Sequence, residues 1–183
     1  MLDVAYAYRR YQFLGDEFLT WLWFVVDNRY ALLREVDPEI DALEIGSRMV
    51  LQNRRANEGI ETLTIKGDNA DLEEARLALK KGAMVSEIHL VYRAGEQEWQ
   101  FSLKGESLNL SNLKTPETGR VESSDELEGA VIEKLFLYGK VTELIRELFR
   151  RFIRIRIANE WKDSEIPAIR KWLDAKNTVG GAE

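Results

Sequence analysis

The chain contains no cysteine and only one histidine among its 183 residues. Without cysteine it forms no disulfide and has neither a thiolate metal ligand nor a thiol nucleophile. A single histidine does not supply the ligand set of a zinc site. His89 has only Glu87 as an acidic neighbour in the alternating sequence around it, so we expect a surface or interface histidine and not a catalytic one. With no glycine-rich phosphate loop and no nucleophile elbow, the sequence predicts no enzyme, no metal and no cofactor.

Long apolar runs are also missing. The longest, Trp21–Val26, is far short of the roughly 20 residues that span a bilayer, and the start of the chain lacks the apolar core of a signal peptide. Hydrophobic residues make up 45% and charged residues 32%, which is typical of a globular domain. The net charge of −6 counts against nucleic acid as a partner unless the basic residues gather on one surface. We therefore expect one domain and no membrane partner.

The most regular stretch is 61–113, in which alternating and helical patterns follow one another. Thr62–Lys66 alternates with the period of two that is typical of a half-buried strand. Asp71 and Glu74 are spaced as a capping box, and Gly82 suits the C-terminal end of the helix that they begin. Three further alternating runs follow, separated by turn residues. The sequence predicts an α+β fold with an antiparallel sheet of five strands: Leu43–Arg54, Thr62–Lys66, Met84–Arg93, Glu98–Lys104 and Leu108–Leu113.

The alternation also assigns the two faces of each strand. Trp99 and Phe101 share one face of their strand, and Leu90 and Ile65 lie on the matching faces of theirs. These four residues are predicted to be nearly fully buried. In the third strand the predicted inward residues are Met84, Ile88, Leu90 and Tyr92, a series that Ser86 interrupts, and the predicted outward residues are Val85, Glu87, His89 and Arg93.

Helical segments flank the strands. Phe13–Val26 is apolar nearly all round and predicts a buried helix, so Trp21 and Trp23 are expected in the core and not stacked on bases. Residues 27–41 are expected to form a loop or short turns, with Asp37 and Pro38 as the stop. The expected organisation is an N-terminal arm (1–12), a single domain (13–175) and a flexible tail (176–183). The domain includes an internal linker (114–125), a long helix (125–157) that packs on the sheet, and a short helix at Ile166–Leu173.

The long helix carries apolar residues at heptad spacing. Two series of apolar residues recur every seven positions along it, interrupted at Lys134. Leu135 and Phe149 widen the stripe, so the helix has more apolar surface than one contact needs. It can be the core helix of the domain or pack against a second copy, and the two roles are compatible. The predicted homo-oligomer interface consists of Val131, Tyr138, Val141, Ile145, Leu148 and Phe152.

The charges of this helix are graded, with glutamates early and arginines late. Complementing the helix dipole explains part of the gradient. Five arginines within eleven residues exceed that need, and arginine suits phosphate contacts. The two interpretations stand side by side. The predicted DNA contacts are Arg146, Arg150, Arg151 and Arg154 on this helix, with Lys80 and Lys81 as a second group near Lys66 and Lys104, for which a solvated rim is the simpler interpretation.

A family resemblance rests on KKGAMVSEIHLVY and EWQFSLKGESLNLSNLK, with the turn between them. Together with FLGDEFLTWLWF before them and VIEKLFLYGKVTELIRELFRRFI after them, they resemble the C-terminal half of the RdgC family over roughly residues 13–157. The resemblance implies a bacterial, recombination-associated protein that binds double-stranded DNA as a closed ring, without sequence preference, and restrains the RecA recombinase. It also implies a cytoplasmic location at the nucleoid.

The chain departs from this family at its start. RdgC chains carry a substantial region before the module, whereas about a dozen residues precede Phe13 here. Whatever that region contributes to closing a ring is therefore expected to be absent, or to be supplied by another copy or another chain. The acidic net charge keeps a second hypothesis open, a module that inhibits, recruits or otherwise binds a recombination or repair protein, or mimics DNA, without touching DNA. A steep fall of affinity with salt would separate DNA binding from this alternative.

Overall fold

The structure, a computed structural model, describes residues 13–55, 59–67, 72–119 and 124–175. The predicted N-terminal arm, the tail and Asp71 of the capping box lie outside the described residues. In chain order the elements are α1 (Phe13–Asn28), α2 (Tyr30–Val36), β1 (Ala42–Arg55), β2 (Gly59–Lys66), α3 (Leu72–Lys80), β3 (Met84–Ala94), β4 (Gln97–Lys104), β5 (Leu110–Lys114), α4 (Ser124–Ile157), a π-helical turn (Trp161–Glu165) and α5 (Ile166–Asp174).

The strands pair into one antiparallel sheet in the order β2-β1-β3-β4-β5. This arrangement confirms the predicted α+β class, and each strand begins and ends within three residues of its predicted bounds. Gly82 takes a left-handed φ of +92° just after α3, as its predicted place at the helix end requires.

One face of the sheet holds the core. Trp99, Phe101 and Leu90 are fully buried and Ile65 is 8% exposed, as predicted. α1 lies across this face, where its run Phe18–Val25 is buried, and both of its tryptophans are part of the core. Removing these large apolar side chains from water is the main favourable contribution to folding.

β3 carries a bulge that reverses part of the predicted alternation. Leu51 pairs with Val85 and Val50 pairs with Glu87, so Ser86 is an extra residue in the ladder. A bulge shifts the order of inward and outward side chains by one position. Val85 is therefore buried and Met84 only half-buried, which corrects the predicted faces of these two residues.

The predicted loop at 27–41 contains a helix. α2 occupies Tyr30–Val36 and buries Leu32 and Leu33 in the core. The prediction of a loop or short turns missed this helix, because a helix of two turns is too short to show a period. α2 nevertheless ends directly before Asp37, the expected stop.

The turn between β4 and β5 packs against the start of α1. Gly105 donates its N–H to the carbonyl of Ser86 at 2.8 Å, and Gly15 lies directly against Gly105. A Cβ on Gly15 would stand 1.7 Å from the carbonyl oxygen of Gly105, so only glycine fits there. After this turn Leu108 takes a left-handed φ of 53°, which interrupts the extended chain. β5 therefore begins at Leu110, two residues later than predicted.

The second half of α4 packs on α1 and α2, and the helix meets the sheet at Leu137, whose carbonyl accepts a hydrogen bond from Trp99 Nε1 at 3.1 Å. The ring of Phe152 lies 5.6 Å from the rings of Phe18 and Trp21. This packing corrects most of the predicted oligomer interface, because a residue that fills the chain's own core cannot face a second copy. Val141, Ile145, Leu148 and Phe152 are buried in this core, whereas Val131 and Tyr138 are exposed.

Candidate functional site

The arginines predicted to contact DNA lie on the exposed side of the second half of α4. Arg146, Arg150 and Arg154 are four residues apart, so they follow one side of the helix, and Arg151 stands beside them. The exposed fractions are 55% for Arg146, 54% for Arg150 and 45% for Arg151, and Arg154 is exposed as well. We call these four residues the arginine row.

Carboxylates interleave with the arginine row. Its ion pairs join Arg146 to Glu143 and Glu147, Arg150 to Glu147, and Arg151 to Glu35 of α2 at 3.6 Å. Arg154 has no ion pair with any residue that the structure describes. Glu143 and Glu35 are solvent-exposed and Glu147 is partly exposed, and pairs of this kind at a surface contribute only about 0–1 kcal/mol and weaken with salt. The row is therefore a mixed surface with an excess of positive charge.

The second predicted group of basic residues is not brought together. Lys80 ends α3 and pairs with Asp174 of α5 at 3.1 Å. Lys66 and Lys104 lie on β2 and β4, which are separated by two strands in the sheet. Between them stand Arg48 and Glu87, which pair with each other at 3.3 Å. These lysines are part of a solvated rim.

The first half of α4 exposes large apolar side chains. No side chain between residues 126 and 136 is buried, and we call this segment the apolar arm. Its exposed fractions are 54% for Leu127, 50% for Val131, 60% for Ile132, 64% for Leu135 and 71% for Phe136. Apolar groups grouped in this way on a surface are typical of contacts with another macromolecule.

The sequence pattern alone did not locate this surface. Of the arm's residues, only Val131 belongs to the predicted interface, because that interface was taken from the heptad series. Ile132 and Phe136 lie outside the two heptad series, on another side of the helix. Apolar residues on that side were the sequence signal that could have indicated an exposed apolar surface.

His89 sits on the outer face of the sheet against an irregular part of β1. Its Nδ1 accepts a hydrogen bond from the N–H of Ser47 at 3.1 Å. Gly46 lies beneath the ring, and a Cβ there would stand 2.0 Å from Nδ1. Burial lowers the pKa of His89, and the positive charge of Lys114 lowers it further. The imidazole supports the bend of the strand.

We expect His89 to titrate below the ordinary histidine pKa of about 6.5. The folded state favours the neutral ring, so just below that pH the unfolded chain binds more protons. The free energy of unfolding should therefore fall as the pH drops below about 6.5. The only imidazole of the chain gives a single set of NMR signals, and a midpoint above 6.5 would contradict the expectation. His89→Gln should remove this part of the pH dependence.

A cleft of about 560 Å³ opens between α1, α3, α5 and the π-helical turn. Its walls are largely apolar and include Trp21, Trp161 and Ile169. Among its described lining residues the one hydroxyl, on Thr20, already donates to the Asp16 carbonyl at 2.8 Å and accepts the Val85 N–H at 3.0 Å. The cleft thus offers a hydrophobic contact without an activated nucleophile. Sequence reasoning missed it, because it depends on the π-helical turn that places α5.

One buried carboxylate joins the π-helical turn to α1 and to Arg29, the residue between α1 and α2. Glu165 is 1% exposed and accepts hydrogen bonds from Trp21 Nε1 at 3.0 Å and from the guanidinium of Arg29. These partners compensate the desolvation of the carboxylate. Glu165 is therefore a structural residue.

No model of a known protein family matches the chain, and no curated protein matches it. Within the described ranges no helix is both long and apolar enough to cross a bilayer, and no group of histidines and carboxylates could hold a metal ion. The exposed charges of the arginine row and the exposed apolar side chains of the apolar arm are the two surfaces of α4 that could bind another macromolecule.

Proposed function

We propose that the chain is a non-enzymatic, RdgC-like protein that binds duplex DNA without sequence preference, acts as a homo-oligomer and modulates homologous recombination. The observation that carries the DNA contact is the arginine row, in which Arg146, Arg150 and Arg154 present one exposed guanidinium at each turn of α4. The resemblance to the RdgC family supplies the link to recombination.

The spacing and chemistry of the row suit phosphates. Residues four apart in a helix are about 6 Å apart along its axis, so the row is a line of charges. Each guanidinium can bind a phosphate through two parallel hydrogen bonds. Because exposed ion pairs contribute at most about 1 kcal/mol, phosphates can replace Glu143 and Glu147 as partners. Contacts to phosphates alone carry no sequence information, which agrees with binding to any duplex.

Replacing Arg150 and Arg154 together with alanine tests this proposal. We expect affinity for two unrelated duplexes to fall by a similar factor. The slope of log affinity against log salt should become shallower by about one for each lost phosphate contact. Fluorescence anisotropy over a series of salt concentrations measures both quantities, and circular dichroism checks that the fold is retained.

The matched control replaces Lys162 and Lys171 with alanine. Both lysines are exposed and lie outside the arginine row, and their loss changes the net charge by the same amount. The control should bind DNA nearly as tightly as the parent. The proposal fails if the parent does not bind duplex DNA at low salt, or if the arginine variant binds like the parent.

The interleaved glutamates favour a second candidate, a protein-binding module that does not touch DNA. Glu143 and Glu147 reduce the positive charge of the row, and the net charge of the chain is −6. In this case a recombination or repair protein would bind to α4, and duplex DNA would not compete with it. Absence of DNA binding at low salt is the result that favours this candidate.

A further inference from the structure

A continuous exposed strip runs along α4 from the apolar arm into the arginine row. Its members alternate at spacings of four and three residues, as in the seam of a coiled coil. At 3.6 residues per turn the strip lies on the side of α4 roughly opposite to buried Val141 and Leu148. All members are exposed: Glu128, Ile132, Leu135, Gly139, Thr142 and Arg146.

We propose that two copies of the chain pair through this strip, with their α4 helices antiparallel. Leu135 then packs over the partner's Gly139, Ile132 over the partner's Thr142, and Glu128 pairs with the partner's Arg146. Each of these three contacts occurs twice, because an interface with two-fold symmetry repeats every contact. The strip is about 27 Å long, since 18 residues separate its ends. The inference rests on the oligomer named in the proposed function and shares one residue, Arg146, with the proposed DNA contact.

The sizes of the side chains fit this register. An added Cβ on Gly139 would meet nothing within 4 Å, so the backbone there is open to a large side chain from another helix. Thr142 donates its hydroxyl to the carbonyl of Tyr138 at 3.0 Å, so this polar group already has a partner within its own helix. Val131, Phe136 and Tyr138 flank the strip and extend the apolar contact.

The charges of α4 favour a second copy over an unrelated protein. The strip has an acidic end at Glu128 and a basic end at Arg146. An antiparallel pair places Glu128 of each copy beside the partner's Arg146, whereas a parallel pair in register would place like charges together. Arg146 then belongs to the interface between the two copies, and the proposed DNA contact is made by Arg150, Arg151 and Arg154, which lie outside the strip.

Replacing Leu135 with aspartate tests the pairing. Leu135 is 64% exposed, so the change should leave the fold of one copy intact and convert a dimer into a monomer. The matched control is Ile60→Asp on β2, which is 62% exposed and should stay dimeric. Light scattering and sedimentation at micromolar concentrations give the masses. A monomeric parent, or a Leu135→Asp variant that stays dimeric, would overturn the proposal.

A charge exchange tests the register and the identity of the partner. Glu128→Arg and Arg146→Glu should each weaken the dimer about tenfold, because each places two like-charged contacts in the interface. The double variant should recover most of the parental affinity, and a double variant no tighter than the singles would refute this register. A monomeric parent that binds DNA overturns only the pairing, whereas a dimer that ignores DNA overturns only the DNA contact.

Discussion

Replacing Phe152 with alanine should lower the free energy of unfolding by about 3–5 kcal/mol. The ring is fully buried and contacts Phe18, Trp21 and Trp161, with the edge-to-face contact to Trp161 at 5.7 Å. Its removal loses apolar burial and leaves a cavity where α4 meets α1. Chemical denaturation should show a lower midpoint.

Phe136→Ala is the matched control, because it removes the same ring from the same helix where the ring is 71% exposed. It should change the stability of one copy by less than about 1 kcal/mol and weaken self-association instead. The two variants thus separate core from interface along one helix. If Phe152→Ala disrupted assembly without loss of stability, the assignment of this residue to the core would be wrong.

Gly15→Ala should lower the free energy of unfolding nearly as much as Phe152→Ala does, by about 3 kcal/mol. The new methyl would overlap the carbonyl oxygen of Gly105, and backbone atoms on both sides of the contact cannot rotate away as a side chain would. α1 would have to move off the turn between β4 and β5. Differential scanning calorimetry should show a transition well below that of the parent.

Gly129→Ala serves as the control for the glycine substitution. Gly129 also lies in a helix, but nothing stands within 4 Å of an added Cβ. Alanine there should be neutral or stabilising by up to about 1 kcal/mol, because it is the better helix former. Equal stability of the two glycine variants would show that the contact between Gly15 and Gly105 is not tight.

The strands could be predicted from the sequence because their signal is local. Alternation in Glu98–Lys104 depends only on which face of the sheet meets the core, and the structure places Trp99 and Phe101 there. The exceptions come from backbone geometry that residue types do not encode. Ser86 interrupts the inward series, but a serine there does not identify an extra residue in the ladder, and Leu108 is an unusual residue to find at positive φ.

The contact surfaces were harder to predict, because the same heptad pattern continues from an exposed part of α4 into a buried part. Val131 and Phe152 belong to the same heptad series, yet the first is 50% exposed and the second is fully buried. The difference depends on where α1 and the sheet stop covering the helix, and this is a property of the whole fold. The arginine row was predictable, since a spacing of four places side chains together whatever the fold. The ion pairs between the arginine row and its carboxylates could not be predicted in this way, because they depend on the positions of the side chains.

The apolar arm also bears on how long a single copy survives. A helical segment of about three turns is marginal in water when nothing packs against it. In an unpaired copy this segment opens readily and offers an extended, apolar stretch of chain to proteases. If two copies pair as proposed, the partner's helix would cover this segment, and we expect limited proteolysis to cut an unpaired copy there faster than a paired one.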